Sequence, residues 1–392
     1  MSYRILTRDE HLRPDGRPKR ILALDGGGLR GVVSLGLLQR IEALLQARHG
    51  ASKDFRLCHY FDLIAGTSTG AIIAACLAMG WTTTQVCDHY FELGERAFRK
   101  SLLRDGYVRA RYDQQTLVAE LKRLFGEDTT LGGPQLLTGL MIMTKRLDTG
   151  SPWPMSNNPQ GRYFAPSTDG TIGNGDFPLW QVVRASTAAP TYFDPEFMTI
   201  ASPKKGAPVR GNFVDGGVSP FNNPALQAVM YSTLEGYRIG WETGEDKLLL
   251  VSVGTGTKDP TVARPTVATE AGVSALLSLM EDCAMQQQMI LQWMSASRTA
   301  RPIDSEVGHL QGDLLGGRAL LSYLRYDVDL RPECVAALDP AFAGAVKIGQ
   351  LSRMDAPKNM SVLHRLGTLA AQRDIRGDDF TACFDLDMAS YE

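Results

Sequence analysis

The chain has 392 residues, 44% of them hydrophobic and 21% charged, a balance that allows a full globular core and excludes a disordered or low-complexity polymer. Its formal net charge is −2, so the overall charge calls for neither a nucleic acid polymer nor a strongly anionic surface as partner. The six cysteines (Cys58, Cys76, Cys87, Cys283, Cys334 and Cys383) are scattered without a Cys-x-x-Cys pair; they read as reduced, partly buried thiols of a cytoplasmic protein, not as a disulfide frame or a zinc site.

The first ten residues hold no apolar core of signal-peptide length, and no later stretch reaches the roughly eighteen apolar residues of a membrane span. The first strand is expected over 20–25 and runs into Asp25-Gly26-Gly27-Gly28-Leu29-Arg30-Gly31. A helix over 31–47 follows, with apolar residues at Val32, Val33, Leu35, Leu37, Leu38, Ile41, Leu44 and Leu45. Three successive glycines after a strand let bare N–H groups converge on one point, as in an oxyanion hole or an anion nest. The same glycines fit the Gly-x-Gly-x-x-Gly fingerprint of dinucleotide binding, which requires an acidic residue at the end of the next strand. That strand ends in Ala65-Gly66-Thr67, and its acid, Asp62, stands near its beginning. The fingerprint is incomplete.

The second strand, over 61–66, leads through Gly66-Thr67-Ser68-Thr69-Gly70 into a helix over 69–79. Strand, Gly-x-Ser-x-Gly turn and helix together hold a serine at a sharp corner with its hydroxyl exposed and a helix N-terminus aimed at it. A Ser, acid, His order leaves only His309 and His364 as partners, and neither lies in a segment that suits the role. Helices are expected over 84–99 and 113–125 and a strand over 138–146. The segment 150–159 holds Pro152, Pro154 and Pro159 and is expected to be an irregular surface loop that could carry Trp153 toward a ligand. A helix of small residues over 178–189, stopped by Pro190, is expected to form a close-packed wall. Its Ser186 lacks the flanking glycines of a nucleophile, and Asp194 before Pro195 reads as a turn residue.

The strand over 209–214 ends in Asp215-Gly216-Gly217, which presents a carboxylate uncrowded by neighbouring side chains. A helix over 223–235 and a strand over 247–253 follow, the latter ending in Ser252-Val253-Gly254-Thr255-Gly256-Thr257. That end reads as a glycine turn in preference to a phosphate cradle. Residues 258–265 read as a linker. A helical pattern over 267–297 carries Met280, Met285, Met289 and Met294, expected to fill a core. Residues 323–330 alternate like a strand, and 360–372 read as a late helix. The expected fold class is α/β, a mainly parallel central sheet flanked by helices, with a mostly helical C-terminal extension.

The three motifs at Asp25–Gly31, Gly66–Gly70 and Asp215–Gly217, in this order and each at a strand end, resemble the patatin-like phospholipases over roughly residues 19–255. The resemblance implies a catalytic domain over 1–257. The extension 258–392 would pack on it as a cap, a dimer contact or a regulatory surface. It also implies a Ser–Asp dyad without histidine: Ser68 as nucleophile, Asp215 as general base, and an oxyanion hole from Gly26, Gly27 and Gly28 with Arg30 supporting the loop. Gly66, Gly70, Gly216 and Gly217 are the motif glycines. The implied activity is lipid acyl hydrolysis, as phospholipase A or lysophospholipase, through an acyl-enzyme, with no cofactor and no metal. Its partner would be a phospholipid or another acyl-ester lipid, met by peripheral contact with a membrane. A broad carboxylesterase is the alternative within hydrolases. A non-catalytic lipid- or nucleotide-binding regulator is the alternative from another class. Some bacterial members of the family are antiphage effectors switched on by a cyclic dinucleotide that drives homo-oligomerisation; the likeness to that branch is confined to the catalytic domain.

Overall fold

A computed structural model of the protein describes residues 3–50, 54–97, 113–257, 268–342, 351 and 353–387. Among them are nine strands: β1 (Lys19–Leu24), β2 (Leu63–Thr67), β3 (Gly139–Arg146), β4 (Pro152–Ser156), β5 (Glu196–Ala201), β6 (Val209–Asp215), β7 (Leu248–Val253), β8 (Ser295–Ser297) and β9 (Leu321–Tyr326). The helices are α1 (Arg8–Leu12), α2 (Gly31–Arg48), α3 (Leu57–Tyr60), α4 (Thr69–Ala78), α5 (Thr83–Ala97), α6 (Gln114–Phe125), α7 (Leu179–Ser186), α8 (Ala225–Thr233), α9 (Ala268–Met294), α10 (Pro332–Leu338) and α11 (Met360–Asp374). One sheet runs in the order β5-β6-β3-β2-β1-β7-β9-β8, with β4 on β3. The pairs β2/β3, β1/β2, β1/β7, β7/β9 and β8/β9 are parallel; β3/β4, β3/β6 and β5/β6 are antiparallel.

The central strands are apolar on both faces because helices cover both. Alternate residues go to opposite layers, as the two-residue strand repeat requires. In β1, Leu22 and Leu24 join the larger core with α2, α4, α7 and α11, whereas Ile21 and Ala23 join the second core under α8. In β9, Leu324 and Tyr326 face the first core, and Leu321 and Tyr323 the second. Helix α11 lies hard against α2: a Cβ on Gly367 would sit 2.5 Å from the Val33 carbonyl oxygen, and one on Gly36 would sit 2.7 Å from the Thr368 nitrogen. The C-terminal helix is thereby locked on the sheet's own covering layer.

Three expectations change. The proline-rich 150–159 segment is not an irregular loop: β4 pairs with Met141–Lys145 of β3. Pro152 and Pro154 fall on alternate positions of a strand paired on one side only, so the intervening residues supply the ladder's N–H groups. Trp153 is packed, 5.4 Å from the Phe213 ring and under the Arg146 guanidinium at 4.8 Å. The boundary expected at 257 falls inside the sheet, since β8 and β9 of the extension continue it beyond β7. Strand β5 had no counterpart in the sequence pattern. The linker expected at 258–265 lies outside the described residues. On α9, Met280 and Met294 are partly buried, but Met285 and Met289 are exposed. No helix among the described residues is long and apolar enough to cross a membrane.

At the N-terminal ends of β1 and β2 a buried ionic cluster pins the strands together. Asp62 accepts from His11 Nδ1 (2.8 Å), the Arg20 amide (2.9 Å) and Arg20 Nε (3.1 Å). Burial alone would raise the Asp62 carboxyl, but Arg20 and His11 outweigh it and hold it below the ordinary carboxylate range. Because the folded value lies below the unfolded one, this stabilisation is present above about pH 4 and is lost as the pH falls further. Asp62→Asn is expected to lower the unfolding free energy by about 3–5 kcal/mol at neutral pH, since it leaves Arg20 buried without its counter-charge. Urea unfolding should show the gap to the parent protein narrowing on acidification.

Candidate functional site

Strand β3 acts as a ruler that brings two distant motifs together. Residues Gly139–Met143 pair with Leu63–Thr67 of β2, and the very next residue, Thr144, pairs with Asp215 of β6. Strand β4 occupies the other edge of β3, so β6 takes over the edge where β2 stops. Ser68, one residue past the end of β2, therefore meets Asp215, although 147 positions separate them in sequence. The Ser68 hydroxyl donates to Asp215 Oδ2 at 2.5 Å.

The turn that carries Ser68 is strained and tightly held. Ser68 has φ 54° and ψ −121°, outside the regions that residues with a Cβ ordinarily occupy. A Cβ on Gly66 would lie 2.2 Å from the Gly70 carbonyl oxygen, and one on Gly70 would lie 2.2 Å from that of Leu24. Glycine at both positions lets α4 start directly against the strands. Ser186, at the end of α7, secures the corner: its hydroxyl accepts from the Ser68 amide (2.9 Å) and donates to the Met143 carbonyl (2.6 Å). Residue spacing could not reveal that role; it had only excluded Ser186 as a nucleophile.

Asp215 is buried, and its second oxygen accepts from the Gly217 amide at 2.7 Å. Burial pushes its carboxyl up to about 6, against the pull of the Ser68 and Gly217 hydrogen bonds and of the Arg184 charge. An ordinary aspartate would be too weak a base near neutral pH; this one is moved toward the useful range.

The glycine loop after β1 faces the same point. A Cβ on Gly26 would sit 3.1 Å from the Ser68 Cβ. Its backbone donors are taken one by one: Asp25 N by the Val253 carbonyl (3.1 Å), Gly26 N by Asn222 (3.0 Å), Leu29 N by Met354 (2.8 Å) and Arg30 N by Gly27 (3.3 Å). The Gly27 and Gly28 amides have no such partner among the described residues, and both residues line the cavity at Ser68. The four-residue set expected from the sequence thus divides. Gly26 spends its amide on Asn222, while Arg30 braces the loop, its Nη1 on the Gly256 carbonyl at 2.8 Å and its Nε 3.5 Å from the Gly27 carbonyl.

Each open amide is aimed by a grip on the carbonyl of its own planar peptide. The Gly27 N–H shares a peptide with the Gly26 carbonyl, which accepts from Thr255 Oγ1 (3.1 Å) and Asn222 Nδ2 (3.3 Å). The Gly28 N–H shares one with the Gly27 carbonyl, held by Arg30. Hydroxyls of Thr69 and Tyr90 fix the Gly28 carbonyl, both at 2.8 Å. Asn222 and Tyr90 carried no motif signal in the sequence, and Thr255 stood out only as part of the 252–257 glycine turn.

The cavity beside Ser68 measures about 110 Å³, and its apolar wall includes Ile72, Leu93, Leu117, Phe193 and Met280. Thr187, Ala189 and Pro190 form one side, as expected of the small-residue segment. No histidine lines it; His364 instead bonds Gln39 at 3.0 Å. Asp194 is exposed and absent from the lining, its carbonyl accepting from Arg184. The 252–257 segment is a turn: the amides of Gly254, Gly256 and Thr257 go to Tyr326, Asp327 and Val328.

Comparison with known proteins identifies the family. The model of the family Patatin-like phospholipase matches residues 22–229, more than half of the chain. The chain belongs to the patatin-like phospholipase family. It is 27% identical over 281 residues to Patatin-17 of Solanum cardiophyllum, covering 68% of each chain. It is 30% identical over 254 residues to Patatin-15 of Solanum tuberosum, and there it spans 60% of the relative's length and 60% of its own. Among solved structures, VipD from Legionella pneumophila aligns with 93% of this chain and 70% of its own, at 14% identity and a TM-score of 0.33.

The backbone crowding at the serine turn gives a direct test. Gly66→Ala forces a Cβ against backbone that cannot swing aside, and is expected to cost about 1–3 kcal/mol of stability and to slow phosphonylation of Ser68 by a fluorophosphonate probe. Gly236→Ala, where nothing lies within 4 Å of the added carbon, should leave both readings at the parent level.

Proposed function

We propose that the protein is a lipid acyl hydrolase, a phospholipase A or lysophospholipase that cleaves carboxylic esters through Ser68 and Asp215. The observation that carries this reading is the 2.5 Å hydrogen bond from the Ser68 hydroxyl to a buried carboxylate, beside two glycine amides that have no partner among the described residues. In this mechanism Ser68 Oγ attacks the ester carbonyl while Asp215 accepts its proton. The negative charge of the tetrahedral intermediate meets the Gly27 and Gly28 amides, already oriented before substrate arrives. Asp215 returns the proton to the leaving alcohol, and the acyl group remains on Ser68. Water, deprotonated by Asp215, then attacks the acyl carbonyl, and as the acyl–Oγ bond breaks Asp215 returns that proton to Ser68 Oγ, releasing the fatty acid.

The apolar wall of the cavity favours an acyl chain over a polar substrate. A carboxylate base also favours esters over amides, because an alcohol departs more readily than an amine. Phospholipase and general esterase activity are separated by the ratio of turnover on micellar phospholipid to turnover on a short p-nitrophenyl ester.

Two outcomes are expected. Ser68→Ala and Asp215→Asn should each lower turnover by at least about 10³-fold with the fold intact by circular dichroism; full activity in either would overturn the dyad. The pH dependence follows from the base having to be ionised. With the Asp215 carboxyl raised to about 6, kcat/KM should be level above that value and fall about tenfold per pH unit below it. A profile flat from about pH 7 to pH 5 would show that another group moves the proton.

A further inference from the structure

The aspartate that precedes the three glycines has no part in the chemistry above, yet it is buried and fully engaged. Asp25 takes a two-pronged ion pair from Arg325: Nη1 to Oδ1 at 3.0 Å and Nη2 to Oδ2 at 2.6 Å. The strand register explains the reach. Ala23, Ser252 and Arg325 stand in one row across β1, β7 and β9, and Asp25 lies two residues beyond Ala23 on the same face. The guanidinium crosses over Ser252, donating to its hydroxyl at 2.7 Å.

The same guanidinium holds a second carboxylate, Asp327, at 2.9 Å. Asp327 in turn accepts from the Gly256 amide (2.8 Å) and the Thr257 hydroxyl (3.1 Å). A Cβ on Gly254 would collide with the Asp327 carboxylate at 2.2 Å. The turn 254–257 is therefore moulded on Asp327. That turn carries Thr255, which shares the Gly26 carbonyl with Asn222, and its Gly256 carbonyl anchors Arg30, which holds the Gly27 carbonyl. Burial works against the Arg325 charge, and Asp25 and Asp327 more than offset it, so the guanidinium is held above its ordinary range.

We propose that Arg325 is a positioning residue for the oxyanion hole, holding the glycine loop through Asp25 and the 254–257 turn through Asp327. Gly26, Gly27 and Gly28 have no side chains of their own, so the loop must be fixed from its borders and from its carbonyls. Arg325 controls the upstream border and, through the 254–257 turn, the Thr255 and Arg30 grips, leaving only the Asn222 grip independent of it. It stands on β9, outside residues 22–229 matched by the family model. The oxyanion hole of this chain is thus completed by its C-terminal extension. Lysine would not replace it, because an ammonium cannot present the planar fork that spans two carboxylates and a hydroxyl.

The inference rests on the Ser68–Asp215 reading, and the test keeps the two apart. Arg325→Met, Arg325→Lys and Thr255→Val are assayed in the full chain on a p-nitrophenyl ester, with thermal melts to verify folding. In each folded variant kcat should fall about tenfold to a hundredfold while KM stays within about twofold. Inhibition by an aliphatic trifluoromethyl ketone, whose tetrahedral adduct needs the oxyanion donors, should weaken in parallel. Binding of the free fatty acid should not change, and the acid limb of the pH profile should keep its midpoint, since Asp215 is untouched. If Arg325→Met fails to fold, Arg325→Lys and Thr255→Val decide. Parent-level kcat in folded Arg325→Lys, or losses confined to KM, overturn the proposal. Parent-level turnover in Ser68→Ala overturns instead the reading on which it rests.

Discussion

The site exists because one edge of β3 is shared. Strand β2 leaves that edge at Met143, and β6 joins it at Thr144 running the other way. A parallel and an antiparallel neighbour thus end head to head on the same strand. Each ends in a polar residue, Ser68 on one side and Asp215 on the other, and the seam presses them into a hydrogen bond. A shift of the register by one residue would turn each side chain to the opposite face. The close backbone contacts of Gly66 with Gly70 and of Gly70 with Leu24 leave no room for that shift, so the packing that builds the turn also aligns Ser68 with Asp215.

Around the seam, conformational cost is concentrated where the proposed chemistry needs it and met by ordinary packing elsewhere. Ser68 sits in a backbone conformation that it would not adopt alone. It is kept there by α4 immediately behind it and by the Ser186 hydroxyl on its amide. The three-glycine loop has little intrinsic stiffness, and its peptides are held by side chains from four separate regions of the chain: Thr69, Tyr90, Asn222 and Thr255. Rigidity imposed from outside on a bare backbone is what electrostatic preorganisation requires. The distribution of charge fits this division. One buried ionic cluster, at Asp62, fastens the far end of the strands, and a second, at Arg325, fastens the end that carries the site.

Much of this was legible in the sequence, for reasons that can be stated. Strands buried on both faces read as continuous apolar runs, so β1, β2, β3 and β7 were placed within a residue or two, and β6 was placed by the Asp215-Gly216-Gly217 turn that ends it. Ser68, Asp215 and the glycine loop stood out because their backbone geometry restricts the neighbouring residues to glycine. The rest was hidden by its physics. Strand β4 is an edge strand, where proline is tolerated on alternate residues, and its two prolines, with Pro159 just beyond it, masked it. Ser186, Asn222 and Thr255 act by hydrogen bonds to residues far away in sequence, so no local spacing marks them. Arg325 is 300 residues from Asp25, and only the lateral order of β1, β7 and β9 brings them together. The exposure of Met285 and Met289 on α9 was equally unreadable, since a methionine pattern does not reveal which side of a helix the rest of the chain covers.

An acyl group carried by Ser68 is the species on which the proposed chemistry turns, and it can be read directly. The protein is mixed with a phospholipid of defined acyl chain, quenched in acid within milliseconds to seconds, and digested for peptide mass spectrometry. The predicted result is the peptide spanning Gly66–Gly70 heavier by one acyl group, with the modification on Ser68 and absent from Ser68→Ala. Fatty acid released with no acylated peptide at any time point, or acylation of a different residue that persists in Ser68→Ala, would contradict it.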